Sequence, residues 1–197
     1  MEIIRLATWI DAPVERCFLL SLSIDLHVAS ARGTQEKAIG GVTTGLIGEK
    51  ETVTFQGRHF GIRLNHTSRI EALRPHTYFR DVMIAGTFRR FEHDHHFAPM
   101  DDGTRMRDEV HFAAPGGLFG RIATKLFLRR YLTVLLRQRN AVIKQIAESE
   151  AWRQYLDAGR ELDASGTISV SNPTARWDGK TLLAAARALP AARPPNS

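Results

Sequence analysis

The 197-residue chain has one cysteine, Cys17. That excludes an internal disulfide and any multi-cysteine metal site, as expected of a protein in a reducing compartment. Cys17 falls at a helix-period apolar position in VERCFLL, which assigns it to the core rather than to nucleophilic chemistry. No apolar run approaches the roughly 18 residues that a membrane-spanning helix needs. The opening MEIIRLATWID does not have the basic-then-apolar plan of a secretory leader, so the expected location is the cytoplasm. A P-loop and a nucleophile elbow are missing, and no glycine fingerprint follows Thr167-Ile168-Ser169-Val170, which argues against a nucleotide or dinucleotide cofactor.

Apolar residues make up 43% of the chain, enough to bury one sizeable core. The net charge of +6 is not spread evenly. Residues 1–116 carry 14 basic and 15 acidic side chains, whereas 117–148 carry seven basic ones against Glu148 alone. A local excess of this kind does not make the footprint of a nucleic-acid binder, and no nucleic-acid partner is expected. The basic segment reads as a solvated helix face, with peripheral docking on anionic membrane as the alternative.

Periodicity orders the chain as strand, helix pair, strands, long helix. Residues 2–10 read as a strand that Asp11-Ala12-Pro13 stops, with Asp11 or Ala12 in the cap region and Pro13 in the first turn of a helix. That helix breaks near residues 23–25. A short strand near 35–39 precedes five strand-like runs at 50–57, 58–73, 76–85, 88–97 and 104–114, joined by hairpin-length connections at Gly57-Arg58, Arg74-Pro75, Gly86-Thr87 and Met100-Asp101-Asp102-Gly103 and therefore antiparallel. Residues 117–148 hold a helix pattern about 48 Å long. The expected fold is α+β: a curved seven-stranded antiparallel sheet wrapped around the long helix, with two short helices between strands 1 and 2. Residues 1–148 form this domain. Residues 149–197 form an extension that continues helical for about two turns, then holds a short strand and a short Ala-rich helix and ends disordered at 191–197.

Charged groups in phase with apolar ones mark candidate sites. His66 and Ser68 share a face with Leu64 and Ile70; His93 and His95 share one with Phe91 and Phe97; Asp108 shares one with Met106, Val110 and Phe112. Asp81 falls in phase with Phe79 and Met83. On the long helix Leu128, Leu132, Leu135, Val142 and Ile146 form a stripe whose missing step is Arg139. A buried guanidinium calls for a carboxylate, and Asp108 or Asp81 is the expected partner.

The run Ile10-Asp11-Ala12-Pro13-Val14-Glu15 followed by Phe18, the run His93-Asp94-His95-His96-Phe97, Asp108-Glu109-Val110 and Pro115-Gly116-Gly117-Leu118-Phe119-Gly120 resemble, in that order, the helix-grip proteins of the SRPBCC superfamily. That superfamily includes START domains, birch-pollen-allergen-like proteins and polyketide cyclases and dehydrases. The resemblance covers residues 1–148 and implies an apolar cavity between sheet and helix for a hydrophobic small molecule, with no cofactor. The ligand-binding candidates are His66, Asp81, Phe91, His93, His95, Asp108, Leu132, Leu135 and Arg139. Three further readings are weighed beside it. One is a cyclase or dehydratase using His93, His95 and Asp108 as general acid and base. Another is a metal held by His93 and His95 with Asp108 or His66, which the resemblance does not call for; the expected metal is none. The last is a lipid carrier that docks through the basic helix face. Either a monomer or a homodimer is expected.

Overall fold

The computed structural model describes residues 1–114 and 127–156 in full, and the backbone of 160–162 and 168–170. Seven strands are formed by Glu2–Ile10 (β1), Lys37–Gly41 (β2), Thr52–His59 (β3), Ile62–Arg74 (β4), Tyr78–Ala85 (β5), Arg90–Met100 (β6) and Gly103–Ala113 (β7). They make one antiparallel sheet in the order β1-β7-β6-β5-β4-β3-β2. Helices Val14–Leu22 (α1) and Ile24–Ser30 (α2) connect β1 to β2, and Arg129–Ala147 (α3) follows β7. A short helix, Arg153–Leu156 (α4), and a two-stranded ladder of Arg160–Leu162 (β8) with Ile168–Val170 (β9) complete the described chain. No helix among the described residues is long and apolar enough to cross a membrane.

The break between α1 and α2 is at Ser23, whose hydroxyl accepts from the Leu26 amide at 3.3 Å and caps the second helix. Pro13 occupies the cap position of α1, one residue earlier than the first turn: its carbonyl accepts from the Cys17 amide at 3.1 Å. Cys17 is fully buried, in the core as its spacing predicts.

The turn between β3 and β4 departs from the sequence reading. The hairpin pivots at Phe60-Gly61, three residues after Gly57-Arg58, with His59 facing Ile62. Both turn residues have positive φ, 52° and 83°, the backbone of a two-residue hairpin turn. Gly57 is instead a mid-strand residue, and the reason is space. A Cβ there would lie 2.7 Å from the Glu36 Cγ and 2.9 Å from the His59 Nε2.

The long helix is described from Arg129; residues 117–126 and the 115–120 motif lie outside the described residues, as do the Ala-rich segment and 191–197. At its other end α3 stops at Ala147. Ser149, in extended conformation, accepts from the Ala151 amide and starts a separate helical turn, so the continuation past Glu148 is a new piece rather than the same rod. Tyr155 of α4 is buried in the main core, and the Arg16 guanidinium lies 4.6 Å over the Trp152 ring.

Two apolar clusters sandwich the space between sheet and helix. The larger joins α1, α2 and the inner faces of β3 to β7 to Ile143, Ile146 and Ala147 near the end of α3. The smaller joins Ile4, Val110 and Phe112 to Leu128, Leu132 and Leu136 near its beginning. Closure of the sheet's β1 edge depends on Gly103, where a Cβ would lie 2.3 Å from the Ile10 carbonyl oxygen. Gly103→Ala therefore forces β1 and β7 apart and is expected to cost about 1–3 kcal/mol. Gly33→Ala, with nothing within 4 Å, serves as the control. Thermal unfolding that shows the two variants equally stable would refute this.

Candidate functional site

Alternation carries the polar side chains inward as the sequence predicts. Register then brings them together: His95 pairs with Phe79 on β5 and with Asp108 on β7, and Asp81 pairs with His93. Asp108 is 2% exposed, His95 1% and His93 5%. Burying a carboxylate this deeply is costly unless its oxygens are occupied. They are. His93 Nε2 is 2.9 Å from Asp108 Oδ1, and the Asn140 amide donates to Asp108 Oδ2 at 2.6 Å and to the Thr8 hydroxyl at 3.2 Å. His95 Nε2 is 3.1 Å from Asp81 Oδ2, while its Nδ1 lies 3.1 Å from Asp108 Oδ1 without the alignment of a hydrogen bond. The imidazole centroids of His93 and His95 are 3.7 Å apart with the rings tilted by 35°, and Phe79 stacks on His95 at 4.0 Å.

Arg139 reaches the expected carboxylate only at its margin. Its Nη1 is 3.8 Å from Asp108 Oδ1, and its Nη2 donates to the Ser21 carbonyl at 3.2 Å, holding α3 to the end of α1. The residue that bonds Asp108 directly is its neighbour Asn140. The buried face of the second half of α3 consists of Asn140, Ile143, Ile146 and Ala147. With Leu132 and Leu136 it forms a line turned about one position from the stripe through Leu135 and Val142. Sequence reasoning missed Asn140, because an amide between an arginine and an alanine gives no signal of its own.

A second chain of contacts runs along β4. His66 Nε2 is 2.9 Å from the Ser68 hydroxyl, which donates to Asp81 Oδ1 at 3.4 Å. The Asp81 side chain keeps 20% of its surface exposed, so it and His66 are the members of the group that present polar surface to the interior space. That space is a cavity of about 380 Å³ between the sheet and α3, within the range of small-molecule sites. Of the candidates, His66, Asp81, Phe91, His93, His95, Leu132, Leu135 and Arg139 line it; Asp108 stands behind His93 and His95. Its lining also includes His27, Glu36, His59 and Tyr131, which sequence reasoning missed. Glu36 precedes a short strand in an irregular segment and His59 ends β3, so alternation could not place either.

Asp81, His93 and His95 each offer one ligand atom, all within 4.8 Å of one another. The carboxylate in this trio is Asp81, where the sequence suggested Asp108 or His66. A metal here would compete with the bond between His95 and Asp81, and the donor set is already engaged in neutralising itself.

Burial pushes the Asp108 carboxyl up, but the hydrogen bond with His93 and the close approach of His95 outweigh it and hold it well below the ordinary carboxylate range. Asp81 is held low in the same way, burial being outweighed by His95, His93 and His66. Burial depresses His66, with Asp81 opposing; it also depresses His93, helped by the neighbouring His95. A histidine whose folded pKa lies below its unfolded value of about 6.5 makes unfolding take up protons, so stability falls as pH drops below about 6.5. The depressed carboxylates act in the same direction at lower pH, their contribution being lost as pH falls through their folded values. The melting temperature is expected to decline between about pH 7 and pH 5, and less steeply in His66→Gln. Parallel profiles for the two proteins would remove His66 from this account.

No family model and no curated protein sequence matches the chain. Solved structures do match. The protein TTHA0849 of Thermus thermophilus aligns with a TM-score of 0.57 at 18% identity, over 75% of this chain and 100% of its own. A START superfamily protein of Mycobacterium smegmatis aligns at 0.56 and 8% identity, over 74% and 97%. The di-domain ARO/CYC StfQ of the steffimycin biosynthetic pathway aligns at 0.61 and 14% identity, over 76% of this chain and 52% of StfQ. At these identities the likeness is one of fold, and that fold is the helix grip that the sequence predicts.

Proposed function

We propose that the chain binds a hydrophobic or amphipathic small molecule, of lipid, polyketide or aromatic type, in the cavity between sheet and α3, acting in the cytoplasm without a cofactor. The observation that carries this reading is the cavity itself, about 380 Å³ of space walled by Phe55, Phe91, Leu132, Leu135 and Leu136 with a polar group on one wall. An apolar void of that size in a packed interior forfeits dispersion contacts and transfer energy, and a ligand restores both. His66 and Asp81 orient the ligand's polar atom. His93, His95, Asp108 and Arg139 hold Asp81 and the facing helix in place.

A second reading is an enzyme of the cyclase or dehydratase type. It is favoured by two His–Asp pairs, His93 with Asp108 at 2.9 Å and His95 with Asp81 at 3.1 Å, of which the second borders the cavity. In that reading His95, whose two nitrogens both face carboxylates, holds Asp81, and Asp81 moves a proton on the bound molecule.

Mass spectrometry of an organic extract of the purified protein tests the binding reading. A stoichiometric apolar compound is expected from the wild type and none from Leu132→Trp, which fills the cavity while circular dichroism shows the fold kept. Equal recovery from both proteins would place the compound elsewhere. Incubation of the compound with fresh protein separates carriage from catalysis. Return of the compound unchanged supports binding alone, whereas consumption by wild type and not by His95→Ala supports the enzyme.

A further inference from the structure

The cavity has a second polar wall, built by residues that the first does not touch. Glu36 comes in from the segment ahead of β2 and has a side chain only 15% exposed. Its carboxylate accepts from the Thr34 hydroxyl at 3.1 Å and pairs with His27 Nε2 at 3.0 Å. His59 Nε2 lies 3.8 Å from the other side of the same carboxylate, and His59 Nδ1 is 2.7 Å from the Tyr131 hydroxyl. His27, Glu36, His59 and Tyr131 all line the cavity. The sheet makes room for them: Gly57, in mid-strand, is the position where a Cβ would collide with both Glu36 and His59. A glycine inside a strand weakens it, so the space it leaves needs a reason.

The geometry also fixes what this wall can bind. With the Glu36 carboxylate facing Nε2 of His59, the ring proton belongs on Nε2, and Nδ1 accepts the Tyr131 O–H. The Tyr131 oxygen is then left with lone pairs and no proton to give. Burial, with Glu36 adding to it, raises the Tyr131 phenol, so it stays neutral. Glu36 is held ionised, because the bonds from His27 and Thr34 outweigh its burial. At the first wall the accessible groups are Asp81, also an acceptor, and His66, whose Nε2 is engaged by Ser68; the Arg139 guanidinium beside them is turned to the Ser21 carbonyl and to Asp108. Tyr131 precedes Arg139 by a little over two turns of α3, about 12 Å along the axis. Leu132, Leu135 and Leu136 lie between them, and Phe91 and Leu64 face these from the sheet.

Building on the binding reading above, we infer that the cavity takes a neutral, elongated apolar molecule with a hydroxyl at each end, one donated to Asp81 and the other to the Tyr131–His59–Glu36 wall. A fatty-acid carboxylate would meet a carboxylate at either wall, Asp81 or Glu36, and the one guanidinium near the first, Arg139, is already offset by Asp108 and Asp81, so it is disfavoured.

Titration of the full-length protein with trans-stilbene, 4-hydroxystilbene and 4,4′-dihydroxystilbene tests this. Each added hydroxyl that reaches a wall is expected to tighten binding about tenfold. Tyr131→Phe should bring the diol to the affinity of the monophenol and leave stilbene unchanged. His59→Phe leaves the Tyr131 lone pairs in place and should keep the diol's advantage, which separates the Tyr131 contact from a folding defect at this wall. A diol no tighter than the monophenol, equal weakening of all three probes by both variants, or laurate binding more tightly than the diol would overturn the second wall while leaving the cavity reading standing. Failure of all three stilbenes to bind would overturn both.

Discussion

The buried carboxylate of Asp108 is the constraint on which the rest depends. It lies on the strand that runs between β1 and β6, opposite Leu6 on one side and His95 on the other, and every group that neutralises it comes from a different part of the chain. His93 and His95 come from β6, Asn140 and Arg139 from α3. A slip of one residue in the β6–β7 pairing would put the carboxylate and the histidines on opposite faces of the sheet. A rotation of α3 by one residue would break the Asn140 bond to the carboxylate and bring Ala141 or Arg139 to its place. Strand register and helix rotation are thus fixed by a single desolvated charge, whose cost when unpaired exceeds what most single contacts supply.

The cavity follows from the same arrangement. α3 is tied down toward its C-terminal end, where it packs on β1, α1 and α2 and buries Ile143, Ile146 and Ala147. Toward its start it rests on the small cluster around Val110 and Phe112. Between these two supports the side chains meeting the helix from the sheet are His66, Ser68, Asp81 and His93. His66, Ser68 and Asp81 bond to one another along and across strands and His93 bonds back to Asp108, so they do not reach up to fill the space. An apolar residue in their place would be drawn onto the helix. Polar groups satisfied within their own layer hold the gap open.

Much of this was legible in the sequence, and for one physical reason. The two-residue period of a strand is strict, so His66, Asp81, His93, His95 and Asp108 could each be assigned a face from their neighbours alone. Arg139 was legible by the same logic on a helix, though with less angular precision: the buried line passes through Asn140 and leaves Arg139 at its side. What periodicity could not supply was any pairing between groups in irregular chain. Glu36 sits after a left-handed residue, Gln35, outside both helix and strand. Its partners are nine and 23 positions away, on α2 and at the end of β3. Gly57 misled in an instructive way. It read as a turn because glycine usually marks one, whereas here it marks the close approach of Glu36 to the sheet.

Fold likeness at 8% to 18% identity carries the scaffold and nothing finer. Specificity has to be argued from the wall chemistry, and there the decisive quantity is the penalty for a wrong guest rather than the gain from a right one. Asp81 and Glu36 are ionised and mostly withdrawn from water. An entirely apolar occupant would strip the remaining water from Asp81 and from the Tyr131 oxygen and give nothing back, which costs about 1–3 kcal/mol for each group left unpaired and more where it is charged. A site walled only by leucine and phenylalanine could scarcely reject a guest that differs by one hydroxyl, whereas a site with buried acceptors rejects the guest that lacks it. The two acceptor walls, held apart by three leucines of α3, thus make the greasy cavity selective for the placement of oxygen.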